Sequence, residues 1–116
     1  MIVTMQDSVS VGANSTVSNV VSGQRYDRSP FDAIGNLYCT GSAVGCTAEL
    51  NIGGVSVTPP TKVGSQARYP VVPDDILVQG WEAPNGKLIQ ITVVNTTGAA
   101  ITFYWRVDLE EVNYAQ

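Results

Sequence analysis

The sequence predicts an all-β domain, most simply an antiparallel β-sandwich of about eight strands. Seventeen valines, ten threonines and eleven glycines among 116 residues are typical of strands separated by tight turns. β-Branched side chains suit a pleated surface, and glycine supplies the positive φ that turns require. No window places apolar residues at helical spacing between capping residues, whereas several windows alternate apolar and polar residues.

The C-terminal third carries the clearest alternation. In residues 101–111 the apolar side chains occupy one face, namely Ile101, Phe103, Trp105, Val107 and Leu109. Residues 87–94 place Ile89, Ile91 and Val93 on one face, and residues 76–82 end before a Pro-Asn-Gly turn. We therefore predict a three-stranded meander from residue 76 to the C-terminus, in which the apolar faces of residues 87–94 and 101–111 point into the core.

The first two thirds predict the remaining strands. Residues 44–52 alternate and then reach Gly53-Gly54, which predicts a hairpin with the strand that contains Val55 and Val57. Residues 36–40 are expected to pair with residues 44–52 across a turn at residues 41–45. Residues 3–11 and 16–22 predict two N-terminal strands, and residues 23–35 and 59–75 are expected to be irregular.

The predicted strands add up to one sandwich domain that covers residues 1–116. Eight short antiparallel strands point to a jelly roll first, with an immunoglobulin-like sandwich as the alternative. The immunoglobulin signature is missing, because neither tryptophan lies between two suitably spaced cysteines.

The charge content indicates a protein that contacts other proteins. Only 14% of the residues are charged, the net charge is -4, and the six basic residues form no run. Direct nucleic-acid binding is therefore not expected, since phosphate contacts need clustered Lys and Arg. Charged residues are depleted at interface cores, so a homo-oligomer is favoured. The alternative is a small neutral monomer covered by Ser and Thr.

Neither a secretory signal nor an apolar stretch long enough to insert into a membrane is recognisable, so folding in a cytoplasm is expected. Cys39 and Cys46 are the only cysteines. In a reducing compartment we expect two free, buried thiols, and a disulfide across a hairpin is the alternative. A structural zinc site needs four Cys or His ligands, and the chain has no histidine.

The acidic residues do not predict an active site. Without histidine, a His-based triad is excluded. Asp74 and Asp75 are adjacent in an extended segment and would point to opposite sides. A calcium site that combines them with Asp27 and Asp32 would lack the regular spacing of a calcium loop. We therefore predict no enzyme activity, no cofactor and no metal.

The candidate interface residues are arginines and aromatics, which dominate interface hot spots. Residues 25–32 concentrate Arg25, Tyr26, Arg28 and Phe31 in a weakly charged chain. A local clasp between these arginines and Asp27 or Asp32 is the alternative. Tyr69 and Trp81 are further candidates, and exposed aromatics of this kind could equally stack on sugar rings.

Several segments together resemble a known class of proteins. They are the Val-Thr-Pro-Pro segment at residues 57–60, the Pro-Val-Val-Pro-Asp-Asp segment at residues 70–75 and the closing strand at residues 102–111. In style the whole chain resembles the small single jelly-roll structural proteins of bacteriophage particles.

This resemblance implies a non-enzymatic capsid or capsid-cementing subunit that folds in the host cytoplasm and resides in the virion. Its partners would be copies of itself and other virion proteins. The missing basic N-terminal arm departs from many capsid proteins and favours a position away from the genome. The alternative function is a carbohydrate-binding or host-recognition module.

Overall fold

Eight strands account for most of the computed structural model, which describes residues 1–72 and 74–112. The strands are β1 (Ile2–Val11), β2 (Ser15–Val17), β3 (Ala33–Gly41), β4 (Cys46–Ile52), β5 (Val55–Lys62), β6 (Ile76–Ala83), β7 (Ile89–Asn95) and β8 (Ile101–Glu111). Within these residues, no helix has the length and apolar character required to cross a membrane.

The strands form two four-stranded antiparallel sheets. Sheet A has the order β1-β8-β3-β6, and sheet B has the order β2-β7-β4-β5. β4 pairs with β5, β3 with β6, β2 with β7 and β1 with β8. This is the pairing of one long hairpin that is folded over into two sheets. Pairing of β3 with β8 joins two of these pairs into sheet A, and pairing of β4 with β7 joins the other two into sheet B. This arrangement confirms the predicted sandwich and has the strand order of a jelly roll.

The hairpin between β4 and β5 is also confirmed. Gly53 and Gly54 connect its strands with φ values of 58° and 86°, and a tight two-residue turn requires positive φ at both positions. The expected irregular stretch begins too early, because β5 continues through Pro59 and Pro60. The register between Ala48 and Leu50 shifts opposite these prolines, and β5 is an edge strand, the position where sheets tolerate proline.

The predicted C-terminal meander is wrong. β7 lies in sheet B, whereas β6 and β8 lie in sheet A, so neither linker closes a hairpin. The predicted pairing of residues 36–40 with residues 44–52 is wrong for the same reason. A period of two shows which face of a strand is apolar, but both sheets bury one face, so it does not identify the neighbouring strand. The predicted second strand is short, since only Ser15–Val17 are in strand conformation.

The space between the sheets is filled by the predicted apolar faces. Phe103 and Trp105 in β8 are fully buried, as are Ile89, Ile91 and Val93 in β7. Complete burial of a large apolar side chain contributes about 1.5–3 kcal/mol, so this layer is a major source of stability. The core prediction for these two strands is confirmed.

Candidate assembly interface

Residues 18–32 connect β2 to β3 and run along the side of β7. Val20 donates its backbone N–H to Ile91 O at 3.0 Å, and Ile89 donates to Asp27 O at 2.8 Å. The Ser29 N–H bonds Lys87 O at 3.0 Å, and the buried Ser29 hydroxyl donates to the Ala83 carbonyl. The loop is therefore fixed along its length, and its surface side chains are presented from a stable backbone.

The two arginines of this loop have different surroundings. The guanidinium carbon of Arg25 lies 5.3 Å from the centre of the Tyr26 ring, within cation–π range. Arg28 donates from Nη1 to Gly86 O at 3.2 Å. Within residues 1–72 and 74–112, neither arginine forms an ion pair with Asp27 or Asp32. The local clasp considered from the sequence is therefore not the arrangement in this structure.

Arg25 and Tyr26 share a groove with the first half of β1. The groove has a volume of about 520 Å³ and lies between residues 2–6 on one side and residues 24–26 on the other. Gln24 fixes this geometry, because its Nε2 donates to Asp7 Oδ2 at 2.8 Å. Arg28 and Phe31 do not line this groove, and Phe31 packs partly against the core.

β1, which lines one side of this groove, has a free edge. β1 pairs with β8 over ten consecutive residues without a register shift, and it is the outermost strand of sheet A. Glu111 donates its N–H to Met1 O at 2.8 Å, which makes the odd-numbered residues of β1 the ones bonded to β8. The even-numbered residues therefore direct their N–H and C=O groups away from the sheet.

Tyr69 lies far along the chain from this groove and belongs to another surface. Tyr69 is 44% exposed, and its ring meets Tyr104 edge-to-face, with ring centres 5.1 Å apart. Arg68 and Asp75 beside it form an ion pair. Partial burial disfavours the Asp75 carboxylate, but hydrogen bonds from Arg68 and the Val71 N–H outweigh it and hold the Asp75 pKa below its ordinary value.

The structure corrects the placement of Trp81. This side chain is only 4% exposed, because β6 carries it opposite Gly35 and its six-membered ring lies over that glycine. Glycine leaves the space that the ring occupies. Trp81 therefore belongs to the core and not to the interface candidates.

A second groove opens between the edge strands β5 and β6. It has a volume of about 440 Å³, and its lining includes Val57, Trp81 and the 68% exposed Val55. Lys87 and Glu82 contribute charges to the same lining. The buried Trp81 Nε1 has no hydrogen-bond acceptor among the described residues.

Cys39 and Cys46 are free, buried and on opposite sheets, so the hairpin that would have placed them opposite each other does not exist. Burial, followed by the charges of Asp75 and Cys46, raises the pKa of Cys39 to about 12. Burial also raises the pKa of Cys46. Both thiols are therefore poor nucleophiles in the folded protein.

The four acidic residues considered for calcium do not form a site in the structure. Asp75 is bound to Arg68, and Asp32 accepts the backbone N–H of Asn85 at 3.0 Å. No group of three or more Cys, Asp or Glu side chains suited to a metal occurs in the described part of the chain.

No protein-family model matches this chain, and a comparison with characterised protein sequences finds no match either.

Sequence reasoning did not identify the free edge of β1 or its contacts through Asp7 and Gln24. One signal was present in the sequence. Asp7 interrupts the inward-facing series Val3, Met5, Val9 and Val11, and a charge in such a series is a typical feature of an edge strand.

Proposed function

We propose that this protein is a non-enzymatic, self-assembling structural subunit of a virus particle, either a shell subunit or a cementing subunit. The observation that carries the proposal is the strand order, with sheets β1-β8-β3-β6 and β2-β7-β4-β5. Eight-stranded jelly rolls of this kind form viral capsid and lectin domains. The link from fold to function is an analogy, and the surface features give it physical content.

Two surface features support assembly over an isolated monomer. Arg25 and Tyr26, a residue pair typical of hot spots, stand beside an edge strand whose outer N–H and C=O groups have no partner strand in the described part of the chain. The low charge content of 14% is also suited to a surface that is covered by neighbours.

Light scattering after gel filtration, together with electron microscopy of the purified protein, tests self-assembly. The expected result is a large species of regular form. A monomer at every concentration tested would contradict the proposal. The virion assignment has its own test, because mass spectrometry of particles purified from the source should find the chain in many copies, and its absence from them would refute that assignment.

A double variant tests whether the Arg25 region takes part in the contact. Arg25→Ala with Tyr26→Ala should abolish the large species while circular dichroism remains that of a folded β protein, because truncated hot-spot residues typically cost about 2 kcal/mol or more per contact. Glu49→Ala, on β4 of the opposite sheet, is the matched surface control and should assemble normally. Assembly of the double variant at wild-type levels would exclude Arg25 and Tyr26 from the interface.

The second candidate function is a carbohydrate-binding or host-recognition module. The exposed Tyr69 ring beside Tyr104 favours it, since aromatic rings stack on sugars. A glycan array separates the two functions. If the protein stays monomeric, binds glycans and loses this binding in Tyr69→Ala, the recognition module is supported.

A further inference from the structure

We infer that the partner at the groove is a second copy of this chain, whose own β1 adds antiparallel to the free edge of β1 and extends sheet A across a two-fold axis. This inference rests on the proposed function, because it specifies how copies of the subunit meet. It assigns the contact to backbone pairing, with Arg25 as the charged group that fixes the register.

The unpaired backbone groups are the first reason. Thr4, Gln6 and Ser10 direct their N–H groups to the free side, where the described chain provides no backbone partner. The Ser8 N–H is the exception, because Asp7 Oδ1 accepts it at 2.8 Å. Residues 2–6 therefore form an open, straight template, and the Asp7 carboxylate ends it.

The other edges are less suited to strand addition. β5 contains Pro59 and Pro60, and proline cannot donate to a ladder. β6 contains a register shift where Gly80 has a φ of 70° and donates its N–H to Asn36 Oδ1. β2 has only three residues. Irregular edges of this kind oppose intermolecular pairing, and β1 has neither proline nor a bulge.

Charge complementarity favours a second copy and selects the register. Two-fold pairing with Thr4 opposite the second copy's Gln6 places Asp7 of each chain opposite Val3 of the other. Arg25 lines the groove together with Val3, and it has no ion-pair partner among the described residues. This register therefore brings each Arg25 near the other copy's Asp7. A register shifted to place Asp7 opposite Asp7 would bring two like charges together.

Proline scanning of the free edge tests the backbone pairing. Thr4→Pro removes an N–H that points away from β8, so the subunit should remain folded. In the pair, the carbonyl group opposite loses its donor, and the dissociation constant should rise at least about tenfold. Thr4→Val is the matched control, since it removes the same bond from Thr4 Oγ1 to Asp108 but keeps the N–H. Ser10→Pro lies outside the proposed overlap and should pair normally.

Sedimentation equilibrium and hydrogen exchange of β1 give the two measurements. If the wild type is a monomer, the proposed function fails. A second result is a wild type that associates and a Thr4→Pro variant that associates equally well and keeps the exchange protection of residues 2–6. That result contradicts the inferred strand pairing and leaves the proposed function standing. Loss of association and of exchange protection in Thr4→Pro, with both unchanged in Thr4→Val and Ser10→Pro, supports the inference.

Cysteine cross-linking tests the register. Directly opposed, hydrogen-bonded residues in an antiparallel pair have Cα atoms about 5.5 Å apart, within disulfide range. The double variant Thr4→Cys with Gln6→Cys should therefore form a covalent dimer on oxidation. Thr4→Cys alone should form little, and the wild type none, because Cys39 and Cys46 are buried. Equal cross-linking of the single and double variants, or none in the double variant, would overturn this register.

Discussion

Gly35→Ala tests the contact that buries Trp81. A Cβ added at Gly35 would lie 2.5 Å from Cζ3 and 2.6 Å from Cζ2 of the indole ring, far inside van der Waals contact. Overpacking of this kind costs about 1–3 kcal/mol. Alanine also restricts the unfolded chain more than glycine does, which stabilises the folded protein by about 0.4–1 kcal/mol. The expected net loss of stability is therefore about 1–2 kcal/mol.

Urea and thermal unfolding measure this loss. For a chain of 116 residues, a loss of about 1–2 kcal/mol lowers Tm by roughly 4–8 °C. Gly64→Ala is the control, because its Cβ would meet no atom within 4 Å, and it should leave stability unchanged or slightly raised.

A double-mutant cycle assigns the effect to the ring. Trp81→Phe replaces the indole, whose six-membered ring lies over Gly35, with a shorter side chain. Gly35→Ala should therefore lower the free energy of unfolding by at least about 1 kcal/mol less in that background. A Gly35→Ala variant as stable as the wild type, or one whose cost is the same in both backgrounds, would refute the close packing of Trp81 on Gly35.

Three further predictions concern the core, the thiols and an ion pair. Phe103→Ala should lower the free energy of unfolding in urea by about 3–5 kcal/mol, and a loss below about 1 kcal/mol would mean that the residue is not in the core. Alkylation without reductant should label neither Cys39 nor Cys46 in the folded protein and both after unfolding, and mass spectrometry would expose a disulfide as missing labels. The folded pKa of Asp75 is depressed, so the stabilising effect of its carboxylate is present above the unfolded pKa of about 4 and disappears as pH falls through the folded pKa. Asp75→Asn should therefore be less stable than the wild type at pH 7, with a difference that shrinks on acidification; a difference that is independent of pH would contradict the role of this carboxylate.

The strands could be predicted largely from local sequence, but apart from the β4-β5 hairpin their neighbours in the sheets could not. The alternation in β8 places Phe103 and Trp105 inside because successive side chains of a strand point to opposite faces. The linkers after β6 and β7 have turn residues, and such residues are compatible with a reversal within a sheet or with a crossing between sheets. The predicted meander was wrong because only the packing of two apolar faces against each other separates these two outcomes.

The candidate interface divides in the same way. The sequence by itself determined that Arg25 and Tyr26 are unusual residues in a chain of few charges, and that the inward series of β1 contains Asp7. Tertiary structure decided that Trp81 is covered, that Arg25 stands beside residues 2–6, and that β1 is an outermost strand. The physical reason is the range of the interactions involved. Side-chain alternation is set between adjacent residues, whereas a free edge depends on which strands, here as distant in sequence as β1 and β8, have already paired.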